Sequence, residues 1–103
     1  MSTNNLTSDI TLYDCYGNDY IFKYTLDTNA EMTFITEKVF NSLKLKSESS
    51  ITINNLDNTQ SVIKLSNFNL SILNHEYINL NVGVLPDNNE IDIIIGNDIV
   101  SKL

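Results

Sequence analysis

One carboxylate in this chain stands out by its neighbours. In "YTLDTNAEMTFIT", Tyr24 to Thr36, Asp27 closes a strand-like run and is followed by the small residues Thr28, Asn29 and Ala30. Such a position has two readings. Asp-Thr-Asn commonly caps a turn, its side chains bonding nearby backbone N–H groups. Alternatively, the carboxylate is a reagent. Cleaving an amide with carboxylates alone requires one to act as a base toward water while another donates a proton, and a close pair shares a single proton. One Asp cannot fill both roles. The chain has one Asp-Thr, so such chemistry would need a second carboxylate brought beside Asp27.

Other residues capable of chemistry offer less. His75 sits in "LNHEY", read as a hairpin turn, and the single histidine and single cysteine lie sixty residues apart. That spacing signals neither a metal-ligand cluster nor a Cys-His nucleophile pair, and no cofactor or metal is expected. Cys15, beside Gly17, flanks a turn. Gly96 either ends its strand or lets backbone pack closely beneath a site. Asp92 reads as a loop-edge charge and Asp98 as a helix N-cap.

Composition narrows the classes of partner. The chain has 103 residues, 42% of them hydrophobic, enough for one core and too few for two domains. Thirteen acidic residues against six basic ones give a net charge of -7, which argues against a nucleic-acid partner or an anionic membrane surface and for a polypeptide or small molecule. A lone cysteine forms no disulfide within the chain and fits a reducing compartment. No apolar run approaches the ~20 residues that span a bilayer, and the polar stretch from residue 1 to residue 8 lacks the features of a signal peptide. The expected location is intracellular and cytoplasmic. The final Ser101-Lys102-Leu103 matches a peroxisomal address, but Ile99, Val100 and Leu103 also share one face of a short helix, the preferred reading. Sixteen asparagines are scattered rather than gathered in a tract, and no function is assigned to them.

Period-two alternation predicts most of the elements that would position Asp27. Ile10 and Leu12 alternate with polar or aromatic neighbours, and after a turn at Gly17-Asn18 the pattern resumes through Tyr20, Phe22, Tyr24 and Leu26. Phe68 to Ile72 and Ile78 to Val84 alternate likewise, joined through "LNHE". Between them "ITINNLDNTQSVIKL" predicts an exposed hairpin around Leu56, Asp57, Asn58 and Thr59. Ile91 to Ile95, interrupted only by Asp92, predicts a strand buried on both faces. Two short helices are expected, Glu37 to Leu43 after a Thr36 N-cap and a second one opened by Asp98. Many short strands with frequent turns suggest a small β-barrel or sandwich.

Taken in order, four of these segments resemble a retropepsin-like aspartic protease, most closely the proteases of LTR retrotransposons. "YTLDTNAEMTFITEKVFNSLKL" is similar to the catalytic segment, "LDNTQSVIKL" falls where the flap hairpin belongs, "NHEYINLNVGVLP" is similar to the strands preceding the last catalytic element, and "IDIIIGND" looks like the strand and helix that close the site floor. The resemblance runs from Asp9 to Val100 and implies one retropepsin-like domain over residues 9–103, preceded by a polar tail over residues 1–8. The implied fold is all-β, a small closed barrel of the acid-protease type with a flap hairpin and one or two short helices.

The implied activity is that of a homodimeric aspartic endopeptidase acting on an extended peptide or polyprotein of a retroelement. Asp27 of each copy would form the dyad, and Thr28 would lock the two loops together through its hydroxyl. Asn29, Ala30, Leu56, Asp57, Asn58, Thr59, Ile95 and Gly96 would border the substrate, Ala30 leaving room for its backbone. Two departures stand out. Asn29 replaces the family's glycine, and asparagine tolerates positive φ best among the other residues. Retroviral relatives also place a further strand after the final helix, whereas the sequence given ends at Leu103. The alternative function is a catalytically inactive dimerisation or peptide-binding domain of the same fold.

Overall fold

In a computed structural model that describes residues 6–103, the chain forms seven strands and two short helices. Residues 1–5 of the expected tail lie outside the described residues, and the first strand already begins at Ser8. Strands β1 (Ser8–Tyr13) and β2 (Asp19–Leu26) form an antiparallel hairpin. Its turn is the expected one, with Gly17 at φ 84°, a left-handed angle that glycine adopts without a side-chain penalty. Asp14 organises that turn, its carboxylate accepting the N–H groups of Tyr16 and Asn18, each at 2.9 Å.

The chain then descends through β3 (Thr33–Thr36) into α1 (Glu37–Ser42). Thr36 takes the N-cap position but makes no capping bond; Asp87 Oδ1 accepts the Lys38 N–H at 2.7 Å instead. Helix α1 ends with Lys44 at φ 56°, the Leu45 N–H bonding the Phe40 carbonyl and the Lys44 N–H that of Asn41. This left-handed termination is usually supplied by glycine. It brings the Lys44 ammonium to 3.1 Å from Asp14, whose side chain is fully buried.

Strands β4 (Ser49–Asn54) and β5 (Gln60–Ile72) make the expected exposed hairpin. The second arm of that hairpin runs without a break into the Phe68 to Ile72 stretch, so what the sequence suggested as two strands is one of thirteen residues. Leu73 and Asn74, at φ 49° and 67°, form the tight turn into β6 (His75–Leu85). His75 therefore opens a strand instead of sitting in the turn, and it is exposed.

Strand β7 (Ile93–Ile95) inserts between β2 and β3, parallel to the first and antiparallel to the second, and leads into α2 (Asn97–Val100). The sheet order is β1-β2-β7-β3-β6-β5-β4. The all-β class, the hairpin and both helices match expectation; closure of the barrel does not, because the ladder ends at β1 and β4, which pair only with β2 and β5 among the described residues. Among those residues no helix is long and apolar enough to cross a membrane.

The core gathers where β7 crosses. Ile35, Val39, Val82, Ile93, Ile95 and Ile99 are essentially inaccessible, and each buried side chain of this size contributes ~1.5–3 kcal/mol relative to an exposed one. Asp92, expected at a loop edge, is buried at the entry to β7. Its N–H bonds the Lys23 carbonyl at 2.9 Å, its carboxylate accepts the Lys23 N–H at 2.8 Å, and its carbonyl accepts the Thr36 N–H at 3.0 Å. One residue thus ties β2 and β3 to the beginning of the strand between them.

Candidate active site

The opposite end of β7 carries the candidate site. The register pairs Leu26 with Ile95, and the Asp27 N–H continues the ladder by donating to the Ile95 carbonyl at 2.9 Å. Beyond Asp27 the chain reverses. The Ala30 N–H returns to the Asp27 carbonyl at 3.2 Å, closing a four-residue turn over Asp27, Thr28, Asn29 and Ala30. The Asn29 N–H donates to Asp27 Oδ1 at 2.9 Å. Asn29 does not adopt a positive φ, so the left-handed geometry anticipated for this position is absent, yet its N–H still approaches the carboxylate.

Gly96 supports the turn from below. A Cβ built there would lie 2.2 Å from the Met32 carbonyl oxygen and 2.9 Å from that of Ala30, distances no side-chain carbon adopts. The next N–H, of Asn97, donates to the Ala30 carbonyl at 2.7 Å. Of the two readings of Gly96, close backbone packing is the one that holds. The site needs glycine here because the turn rests directly on backbone.

The structure therefore brings Asp27, Thr28, Asn29, Ala30, Ile95 and Gly96 into one unit. Asp27 and Ala30 are half-buried, Thr28 and Asn29 exposed, Ile95 and Gly96 buried. It does not join the hairpin tip to them: Leu56, Asp57, Asn58 and Thr59 bond only within the hairpin among the described residues. There Asn58 takes φ 67°, and the Thr59 hydroxyl and N–H both donate to Asp57 Oδ1. Those bonds from Thr59 hold the Asp57 carboxyl below the usual carboxylate range. Leu56 projects fully into solvent at the tip.

Two residues of this unit escaped the sequence reading. Asp98, expected to cap its own helix, makes no cap there; the N-cap position is Gly96. Its carboxylate instead accepts the Thr33 N–H at 3.1 Å and the Thr33 hydroxyl at 2.9 Å, and the hydroxyl accepts the Gly96 N–H at 3.1 Å. The partners lie sixty-five residues apart, a separation no local pattern reveals.

Chemically, the unit presents the half-buried Asp27 carboxylate on a turn fixed from below by backbone, with the Asp98 carboxylate bonded to Thr33 beneath it. Among the described residues no cluster of His, Cys, Asp and Glu could hold a metal ion.

No curated protein matches the chain. Among solved structures, a retropepsin-like aspartic protease from Rickettsia conorii is similar at 17% identity, over 99% of this chain and 85% of that one, with a TM-score of 0.49. The family described as aspartyl protease matches residues 14–99, a span that includes the Asp27 turn, the exposed hairpin and the β7 floor. The chain belongs to the aspartyl protease family.

Proposed function

We propose that two copies of this chain form an aspartic endopeptidase whose dyad is Asp27 and its symmetry mate. The observation that carries the reading is the Asp27 carboxylate itself: half-exposed, steadied at Oδ1 by the Asn29 N–H, on a turn seated against Gly96. A carboxylate merely capping a turn would not require a floor cleared of side-chain atoms.

In this reading the two carboxyl groups share one proton. The ionised one takes a proton from a water molecule as that water's oxygen bonds the substrate carbonyl carbon, and the protonated one gives its proton to the carbonyl oxygen. Collapse of the resulting tetrahedral species breaks the C–N bond. The amine nitrogen leaves with the proton taken from water, and the carbonyl oxygen returns its own. The exposed Thr28 hydroxyls bond across the two-fold axis, and the Leu56 to Thr59 tip acts as a flap, closing over an extended peptide and excluding water. Backbone pairing of that peptide in strand fashion supplies affinity. A retroelement polyprotein cleaved inside the cell is the substrate we favour, supported by the resemblance of the four sequence segments.

A second reading, an inactive dimerisation or peptide-binding domain, draws on one observation: the exposed Asn29 side chain beside Asp27. Cleavage of a mixed peptide library from mildly acidic to neutral pH separates the two. The enzyme reading predicts cleavage by the parent chain and a loss of at least about a thousandfold in Asp27→Asn. A folded dimer that cleaves nothing supports the inactive domain.

A further inference from the structure

We infer that Asp98 and Thr33 are positioning residues for the Asp27 turn, acting from beneath it without touching substrate; the catalytic consequence rests on the proposed protease activity. The inference follows from proton counting. Thr33 is inaccessible to solvent, and its hydroxyl has one proton, which it donates to Asp98 Oδ1 at 2.9 Å. The hydroxyl oxygen is thereby left as acceptor for the Gly96 N–H at 3.1 Å. Asp98 Oδ2 accepts the Thr33 N–H at 3.1 Å. Both groups presented to Asp98 are donors, so this position requires an acceptor at each oxygen, which a carboxylate provides and an amide does not.

This arrangement fixes Gly96, and Gly96 fixes the turn. The Ala30 and Met32 carbonyls pack on the glycine, and the Asn97 N–H holds the Ala30 carbonyl at 2.7 Å. Ala30 in turn bonds back to Asp27. The path from Asp98 to Asp27 therefore runs through hydrogen bonds and backbone contact, and Ile99, fully buried on the next residue, anchors the helix that carries Asp98. A dyad tolerates little displacement, since a misplacement of ~1 Å can cost about a hundredfold in rate.

The test compares Asp98→Asn, Thr33→Val and Thr33→Ser in the full chain. Asp98→Asn leaves one Thr33 donor without an acceptor; Thr33→Val removes the hydroxyl; Thr33→Ser keeps it. We expect kcat to fall about ten- to a hundredfold in the first two with KM nearly unchanged, and Thr33→Ser to stay close to the parent. Amide hydrogen exchange, which needs no activity, should quicken at Ala30 and Asn97 in Asp98→Asn while the β1–β2 amides keep parental protection. Parental exchange at Ala30 and Asn97 in both Asp98→Asn and Thr33→Val would overturn the inference, as would a uniform loss of protection across the sheet, which is general destabilisation. If the parent cleaves no peptide while the local exchange effect is present, the protease reading fails and the positioning role stands.

Discussion

The Asn29 N–H lies 2.9 Å from Asp27 Oδ1, in a turn where Asn29 does not need the left-handed backbone region. The glycine expected after Asp-Thr is therefore not required here for backbone geometry. What asparagine adds is an exposed side chain beside the carboxylate.

Asn29→Gly should accordingly act in opposite directions on stability and activity. Glycine widens the unfolded ensemble with no strain to relieve, lowering stability by ~0.4–1 kcal/mol. Removal of the side-chain amide clears space for substrate and raises kcat/KM. Denaturant unfolding and peptide cleavage measure the two; a stabilised variant would show that Asn29 is strained after all.

Gly96→Ala should damage both properties. The added carbon would meet two carbonyl oxygens and the Met32 carbonyl carbon, all of them backbone, so the turn must shift. A loss of ~1–3 kcal/mol or more is expected, with cleavage reduced further than that destabilisation explains. Thermal unfolding together with activity below the transition temperature tests this.

Leu56→Ala separates flap from fold. Leu56 is wholly exposed, so stability should change by no more than ~0.5 kcal/mol. A closing flap would lose apolar contact with substrate, lowering kcat/KM. Unchanged kinetics would remove the hairpin tip from the site.

Acid stability should depend on Asp14. Burial alone would raise its carboxyl, but hydrogen bonds from the Asn18 side chain and backbone, from Lys44 and from the Tyr16 backbone outweigh burial and hold it well below the ordinary range. A folded-state pKa below the unfolded one contributes stability that is present above about pH 4 and lost as pH falls through the folded value. Asp14→Asn should lower the melting temperature at neutral pH and flatten its decline below about pH 4, as scanning calorimetry from pH 2 to 7 would show.

Local patterns made much of this fold legible. Alternation located β1, β2 and both hairpins, and the apolar run around Ile93 to Ile95 announced a strand buried on both faces. The same patterns misread Asp92 and Asp98, because what each carboxylate bonds is set by β7 passing between β2 and β3, far away in sequence. Thr36 looked like a cap, but its cap bond comes from Asp87, again through tertiary placement. The β5–β6 ladder hides a similar surprise: its register shifts between Phe68 and Leu70, and Asn79 turns to φ 55° with its N–H on the Asn69 side chain. Alternation carries no signal for such a bulge. The Asp27 turn itself was readable because its parts are contiguous; its support was not.

The most direct test of the account is specific cleavage activity measured as a function of chain concentration, alongside sedimentation of the same samples. If Asp27 works only with its symmetry mate, activity per chain will rise with concentration in step with the dimer fraction, and chains of Asp27→Asn mixed into the parent will suppress it. Undiminished activity per chain in samples that sediment as monomer would contradict the shared dyad.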